Sequence, residues 1–257
     1  MSSLQRFTNR KVIITGAGSG IGQATVARLL SEGAAVVAMD VSEAGLAATA
    51  QAAQAAGAQD RLTTLTVNVG DEASLKAGIA SALKTLGGLD VLVNAAGVLR
   101  TSHTADTSLA FWDEVIRINL TGTFLATREA LPALLASGAG VVVNFSSTSA
   151  NFAHPYMAAY AASKGGIQAF THAIALEYCK EGLRAVSLVP GGIASGMTGG
   201  ITLPEDADYS LLAKLSPSSG QGFGKPESVA SIIAMLASED GVFITGTEVR
   251  VDGGTHM

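Results

Sequence analysis

The chain has 257 residues, nearly half of them apolar, and sixteen basic against twenty-one acidic side chains give a net charge of −5. That length suits one large α/β domain with a sizeable core. The acidic balance argues against nucleic acid or an anionic membrane surface as partner, because both reward dense Lys and Arg. The single cysteine, Cys179, precludes an internal disulfide, fits a reducing cytoplasm and reads as a small core residue. The first ten residues lack the apolar centre of a signal peptide. The one long charge-free stretch, 130–163, is interrupted by Gly138, Gly140, Asn144 and Pro155, which lipid would tolerate poorly. A soluble, cytoplasmic protein with no membrane partner is the expectation.

In chain order, short β-branched runs alternate with longer Ala/Leu-rich amphipathic ones. Strands are expected at Lys11–Thr15, Ala35–Asp40, Leu62–Asn68, Leu89–Asn94, Val141–Ser146 and Arg184–Val189. Helices are expected at Ile21–Ser31, at Ser42–Ala56, and on the stripe Leu75, Ile79, Leu83, Leu86 that meets Gly87-Gly88. A long helix follows from about Leu109 to Leu135, and another over Ala158–Cys179. Such alternation implies right-handed crossovers and a doubly wound parallel sheet with helices on both faces. Residues 190–224 are rich in Gly, Ser and Pro, with a short helix candidate at Tyr209–Leu215, and read as a lid.

The first strand–helix turn is Thr15-Gly16-Ala17-Gly18-Ser19-Gly20-Ile21-Gly22. Glycines there let the backbone approach a pyrophosphate, with the helix amino terminus adding amide donors and a favourable dipole. Asp40 ends the second strand twenty residues after Gly20. A carboxylate so placed can hydrogen-bond the adenosine ribose hydroxyls and would repel a 2′-phosphate. It can also help cap the following helix, and the two roles are compatible. Val41 follows, and Ala17 and Ser19 stand where a phosphate site would want Arg or Lys, so NAD is favoured over NADP.

Tyr160 and Lys164 are four residues apart and share a helix face. A phenol titrates near pH ~10, and a neighbouring ammonium lowers that value, giving a general acid/base usable near neutrality. Ser147 follows the apolar run 141–145, at the carboxyl end of a buried strand where open α/β sheets place their ligands. The four histidines, His103, His154, His172 and His256, show no metal-ligand spacing, and no metal is expected.

These motifs together resemble the short-chain dehydrogenases/reductases of the non-extended type, over nearly the whole chain from Lys11 to Gly254. Thr-Gly-x-x-x-Gly-x-Gly falls on Thr15, Gly16, Gly20 and Gly22, and Asn-x-Ala-Gly on Asn94–Gly97. Tyr-x-x-x-Lys falls on Tyr160 and Lys164, Pro-Gly on Pro190-Gly191, and the closing Val-Asp-Gly-Gly on Val251–Gly254. The resemblance implies a single Rossmann-type domain over 1–257, with about seven strands in the order 3-2-1-4-5-6-7 and a small substrate lid. It implies catalytic roles for Asn119, Ser147, Tyr160 and Lys164. It further implies cofactor contacts from Gly16, Ser19, Gly20, Ile21, Gly22, Asp40, Val41, Asn68, Val69, Asn94, Ala95, Ala96, Gly97, Pro190, Gly191, Ile193 and Ser195, besides Tyr160 and Lys164.

Two positions depart from the family pattern. Asn68 stands where Asp usually accepts from the adenine amino group; its amide oxygen still accepts, so somewhat weaker adenine binding is expected. Ser195 replaces the usual Thr and keeps the hydroxyl. Asn119 shares a stripe with Trp112, Val115 and Ile116. Packing alone accounts for such an amide if it finds partners; in the family it holds a water that links the Lys ammonium to solvent.

The expected chemistry is reversible hydride transfer between NAD and a secondary alcohol or ketone, with Leu99, Ser149, Asn151, Phe152, His154 and Met197 lining the substrate pocket. Small and apolar residues around the helix after Tyr160, among them Ala162, Gly166, Ala169, Ala173, Phe170 and Leu176, suggest burial on two sides, as in a subunit interface. The family is commonly oligomeric, which makes self the expected partner, as a homotetramer or at least a dimer. Two alternatives stay open: an NADP-dependent 3-oxoacyl-acyl-carrier-protein reductase, and a catalytically silent nucleotide sensor. The substrate itself stays open among sugars, steroids, cyclic alcohols and hydroxyacyl thioesters.

Overall fold

The computed structural model describes residues 4–212, 215–218, 220 and 222–257. Seven short runs pair into one parallel sheet in the order β3-β2-β1-β4-β5-β6-β7. They are β1 (Lys11–Thr15), β2 (Ala35–Asp40), β3 (Leu62–Thr66), β4 (Val91–Asn94), β5 (Val141–Phe145), β6 (Arg184–Pro190) and β7 (Thr247–Val251). The β4 and β5 side chains are buried throughout, as expected of strands covered on both faces, so their apolar runs do not alternate with polar residues.

Alternate residues of each strand feed two cores. Val12, Ile14, Val36, Val93, Val143 and Leu188 pack beneath helices α1 (Gly20–Ser31), α2 (Glu43–Ala55) and α8 (Pro226–Ala237). Ile13, Val37, Leu92 and Val142 pack beneath α3 (Glu72–Leu86), α5 (Gly122–Ala136) and α6 (Ala158–Glu177). The helices start where the sequence supplies caps: the Ser42 hydroxyl accepts from Gly45 N at 3.1 Å and the Asp71 carboxylate from Ser74 N at 2.7 Å. Gly87, left-handed at φ 65°, closes α3. Both α8 and β7 lie beyond the elements read from periodicity.

Three local differences from the sequence reading matter. The long helix is interrupted: α4 (Leu109–Ile116) passes into a π turn at Arg117–Thr121 before α5. Trp112 is half-exposed rather than sharing the buried stripe of Val115 and Asn119. Cys179 is exposed, not a core residue, because it falls in the 3₁₀ turn that follows α6. In the lid, α7 is the short run Gly196–Gly199, and a single 3₁₀ turn at Tyr209–Leu211 stands in place of the longer helix candidate, whose residues 213 and 214 lie outside the described ones.

On the exposed side of α6, Ala162, Ala169 and Ala173 face outward, and Leu176 is 78% accessible. The amino-terminal segment is tied down by a buried carboxylate. Glu32, at the end of α1, accepts from Arg6 Nε at 2.6 Å and from Arg28 Nε at 2.5 Å. Burial raises the Glu32 pKa, but the two arginines outweigh it and hold the carboxyl below its usual range. Its stabilisation is therefore complete above the unfolded carboxyl value and is lost as pH falls through the lowered folded one. Glu32→Ala removes an acceptor shared by two guanidiniums, though Arg6 keeps Asp240 and Arg28 keeps Ser231, and is expected to cost about 2 kcal/mol. Urea unfolding at pH 7 measures the loss, and acidification should shrink it.

Candidate active site

The parallel sheet brings the carboxyl ends of its strands to one edge, and a cavity of about 410 Å³ opens there. One end is the glycine turn. Gly16 sits at φ +69°, and a Cβ on it would lie 2.6 Å from Ala96 N, so the turn between β1 and α1 admits no side chain at this point. Ser19, the N-cap of α1, makes no side-chain cap bond, which leaves the first amides of the helix facing the cavity. Ser195 lies over this turn, with its Cβ 3.3 Å from where a Gly20 Cβ would be. A bare backbone cradle at a helix amino terminus suits a pyrophosphate.

Asp40 projects from the end of β2 into the same cavity. Its Oδ2 accepts from Gly18 N at 2.8 Å and its Oδ1 from Ser42 N at 2.8 Å. Ser42 is the N-cap of α2 and Asp40 helps by taking the Ser42 N–H, while both carboxylate oxygens keep lone pairs for a further donor. Asn68 and Val69 also line the cavity, and the Asn68 Oδ1 is turned onto Gly70 N at 2.9 Å.

The chemistry-bearing end is built where β5 meets α6. Ser147 and Tyr160 are each 8% exposed, Lys164 is 5% exposed, and all three reach the cavity wall. Burial pushes the Tyr160 phenol up to about 12, and the neighbouring Ser147 side chain, which favours the ionised form, offsets only part of that. Burial also pulls Lys164 down to about 8. Its Nζ donates to the Phe145 carbonyl at 2.7 Å and stands 5.5 Å from the Tyr160 ring centroid. In the free protein, then, the ammonium does not bring the phenol below its usual value; desolvation of both groups is the larger effect.

Asn119 is fully buried behind this wall. Its Nδ2 donates to Val98 O at 2.9 Å and to Ser163 Oγ at 3.0 Å, and its Oδ1 accepts from Val98 N at 2.8 Å. Ser163 in turn donates to the Tyr160 carbonyl at 2.7 Å. The π turn leaves the Asn119 carbonyl to the Thr123 hydroxyl at 2.7 Å. This amide holds the backbone beneath Tyr160 and does not itself face the cavity.

Gly16, Ser19, Gly20, Ile21, Gly22, Ala95, Ala96, Gly97, Pro190, Gly191, Ile193 and Ser195 line the cavity as read from sequence, as do Val41, Leu99, His154 and Met197. Besides Asn119, four expected site residues do not. Asn94 is buried within the sheet, donating to Asn144 Oδ1 at 2.9 Å and Thr127 Oγ1 at 3.1 Å. Ser149 is turned inward in the 3₁₀ turn 148–150, its hydroxyl buried without a hydrogen-bond partner. Asn151 pairs with Gln168, and Phe152 stacks on His256 at 4.1 Å between centroids. The sequence reading missed Thr148, Met157, Phe223 and Thr255, all on the cavity wall. Thr148 adjoins Ser147 and Thr255 follows the closing Gly254, but nothing in their spacing marks them. The lid is latched over the rim: the Thr101 hydroxyl donates to Thr202 O, Asp206 pairs with His103 at 2.7 Å, and Asp208 N donates to the Tyr156 hydroxyl at 2.8 Å.

A bare glycine turn after the first strand of a seven-stranded parallel sheet, with a Ser–Tyr–Lys cluster at the strand ends, fits an α/β oxidoreductase. The short chain dehydrogenase family profile matches residues 10–206. The chain is 36% identical over 250 residues to 2-(S)-hydroxypropyl-CoM dehydrogenase 3 of Xanthobacter autotrophicus, covering 97% of each chain. It is 34% identical over 249 residues to the 3-oxoacyl-[acyl-carrier-protein] reductase of Thermotoga maritima, covering 97% of this chain and 98% of that one. Among solved structures, a dehydrogenase/reductase from Sinorhizobium meliloti superposes with a TM-score of 0.89 at 29% identity, over 100% of this chain and 99% of the other. The chain belongs to the short-chain dehydrogenase/reductase family.

The buried Lys164 gives a prediction about stability. Its folded pKa is lowered to about 8, so the folded state binds fewer protons than the unfolded one between that value and the free-lysine value near ~10.4. The penalty for burying the cation is full below pH 8 and fades as pH rises towards 10. Lys164→Met forfeits the bond to the Phe145 carbonyl at every pH, so the pH dependence is the signature: its melting temperature relative to the wild type should be highest at pH 7 and fall by pH 10 in a thermal-unfolding series.

Proposed function

We propose that this protein is an NAD-dependent enzyme that moves a hydride between nicotinamide and a secondary alcohol or ketone. The observation that carries the reading is that Ser147, Tyr160 and Lys164 line the wall of one cavity that the glycine cradle and Asp40 also line. A bound dinucleotide would supply the hydride donor or acceptor at its nicotinamide and, in the oxidised form, a positive charge. The chain's residues do the rest. Gly16 to Gly22 and the amino terminus of α1 hold the pyrophosphate. Asp40 accepts from the ribose hydroxyls and repels a 2′-phosphate. Ser147 holds the substrate oxygen and stabilises the charge that develops on it.

Tyr160 takes or returns the hydroxyl proton. Its pKa of about 12 in the free protein leaves that transfer dependent on nearby positive charge, from the Lys164 ammonium and the bound cofactor. Asn119 enters as a positioning residue, fixing Ser163 and through it the Tyr160 backbone. The alternative of an NADP-dependent acyl-carrier reductase draws support from the Thermotoga relative; Asp40 and the net charge of −5 weigh against it. The small-residue face of α6, exposed with Leu176, supports assembly as a homotetramer, or at least a dimer, in the cytoplasm.

Turnover of a panel of secondary alcohols and ketones, followed by nicotinamide absorbance with NAD(H) and NADP(H) in parallel, tests the reading. Activity with NAD(H) is expected, and Asp40→Ala should narrow its advantage. A clear NADP(H) preference would bring the acyl-carrier reductase forward, and binding without any turnover would favour a sensor. Tyr160→Phe should lower kcat by about 10²–10⁴-fold while dinucleotide binding persists. Light scattering should report an oligomer that Ala173→Arg disrupts; a monomeric wild type would sink that part.

A further inference from the structure

The protons of the Thr148–His154 pair on the cavity wall can be assigned. His154 Nδ1 lies 3.0 Å from the Phe152 carbonyl oxygen, and a carbonyl only accepts, so the ring hydrogen of the neutral imidazole is on Nδ1. Burial lowers the pKa of this ring; the Phe152 bond opposes that, and His256 adds to it, with a net lowering. Near neutral pH, Nε2 is therefore a lone pair. The Thr148 hydroxyl, 3.3 Å from Nε2, is then the donor between them. Both residues line the cavity, and with both hydrogens committed the pair has none left to donate there; what it keeps is acceptor capacity, chiefly the remaining lone pairs of Thr148 Oγ1.

The carboxyl-terminal tail braces this arrangement. The His256 ring stacks on Phe152 at 4.1 Å with planes 6° apart, and its centroid is 5.6 Å from that of His154. Arg250 sits 5.5 Å from the Phe152 ring centroid and donates to the His256 carbonyl at 3.1 Å. Asp252 lies 3.5 Å from Arg250 and offsets its charge. Phe152, expected to touch substrate, instead serves as the packed base that aims its carbonyl at His154. The groups facing His154 are thus His256, Thr148 and, beyond Phe152, the Arg250–Asp252 pair.

We propose that the substrate carries, besides its reacting carbinol or carbonyl, a neighbouring hydroxyl that donates a hydrogen bond to the Thr148–His154 pair. The class is a hydroxy ketone and its corresponding diol, rather than an unsubstituted ketone, an ether or a carboxylate. This rests on the hydride-transfer reading above and names its substrate. Thr148 directly follows Ser147, which holds the reacting oxygen, so the second hydroxyl belongs on an atom close to the reacting carbon.

The test takes the best ketone of the panel and compares its unsubstituted, α-hydroxy and α-methoxy forms in the wild type, Thr148→Val and His154→Phe. The wild type should favour the hydroxy form by about tenfold in kcat/KM over both others, the size of one hydrogen bond. That ratio should fall towards one in Thr148→Val and drop in His154→Phe. It compares substrates on one preparation, so a poorly folded variant lowers all rates together and leaves the ratio readable. A second signature is pH: once His154 is protonated, Nε2 donates to Thr148 and the freed hydroxyl turns to the cavity, so the methoxy form should gain on the hydroxy form at pH 5 relative to pH 8. A wild type indifferent to the hydroxyl, or a preference unchanged in both variants, overturns the inference and leaves hydride transfer standing. Absence of turnover by every ketone with either dinucleotide removes both.

Discussion

The site depends on a polar seam between β5 and α6. Ser146 Oγ donates to the Lys164 carbonyl at 3.0 Å, Lys164 Nζ to the Phe145 carbonyl at 2.7 Å, and Asn144 Nδ2 to Thr171 Oγ1 at 2.9 Å. Each of these bonds is buried, where an unmade partner costs more than a made one contributes. They fix the helix along the strand and, together with the Asn119–Ser163 bonds beneath Tyr160, place Tyr160 beside Ser147 on the cavity wall. An apolar seam of the same shape would hold the helix as firmly but would leave its sliding and rotation less defined.

The seam carries a tension between stability and chemistry. A fully charged lysine and an ionisable phenol sit where solvent barely reaches, and burial drives each towards its neutral form. Acid/base work near neutrality instead needs the proton to move easily off the phenol. The free protein thus stores the cost of a buried cation beside a phenol whose ionised form that cation favours. The lid latch on the other side, through Asp206 and Asp208, contributes to enclosing the cavity that makes these charges matter.

Much of this was legible in the sequence because it rests on strong local signals. Strands buried on both faces announce themselves as β-branched runs, and the glycine turn must stand where a side chain would collide with Ala96. Tyr160 and Lys164 follow from helical spacing. What escaped notice depends on contacts distant in the chain. Phe152, Asn151 and Ser149 sit beside the cavity in sequence, but a 3₁₀ turn and the pull of Gln168 and His256 rotate them away from it. Thr255 and the tail reach the wall only through the Arg250–Phe152–His256 stack. Asn94 reads as a ligand contact but is consumed within the sheet. The π turn leaves no mark either, since its residues suit a regular helix equally well.

That turn ties the site to chain length. Arg117–Thr121 accommodates one residue more than a regular helical turn would. Losing a single residue there would let α4 and α5 run on as one uninterrupted α-helix, a change the sheet and both cores would accommodate. Asn119 or its replacement would swing by about 100°, away from Val98 and Ser163. A one-residue deletion, of the kind that loops absorb freely, would here leave an intact fold with Tyr160 unmoored. At this turn it is the number of residues, more than their identities, that holds Asn119 against Val98 and Ser163.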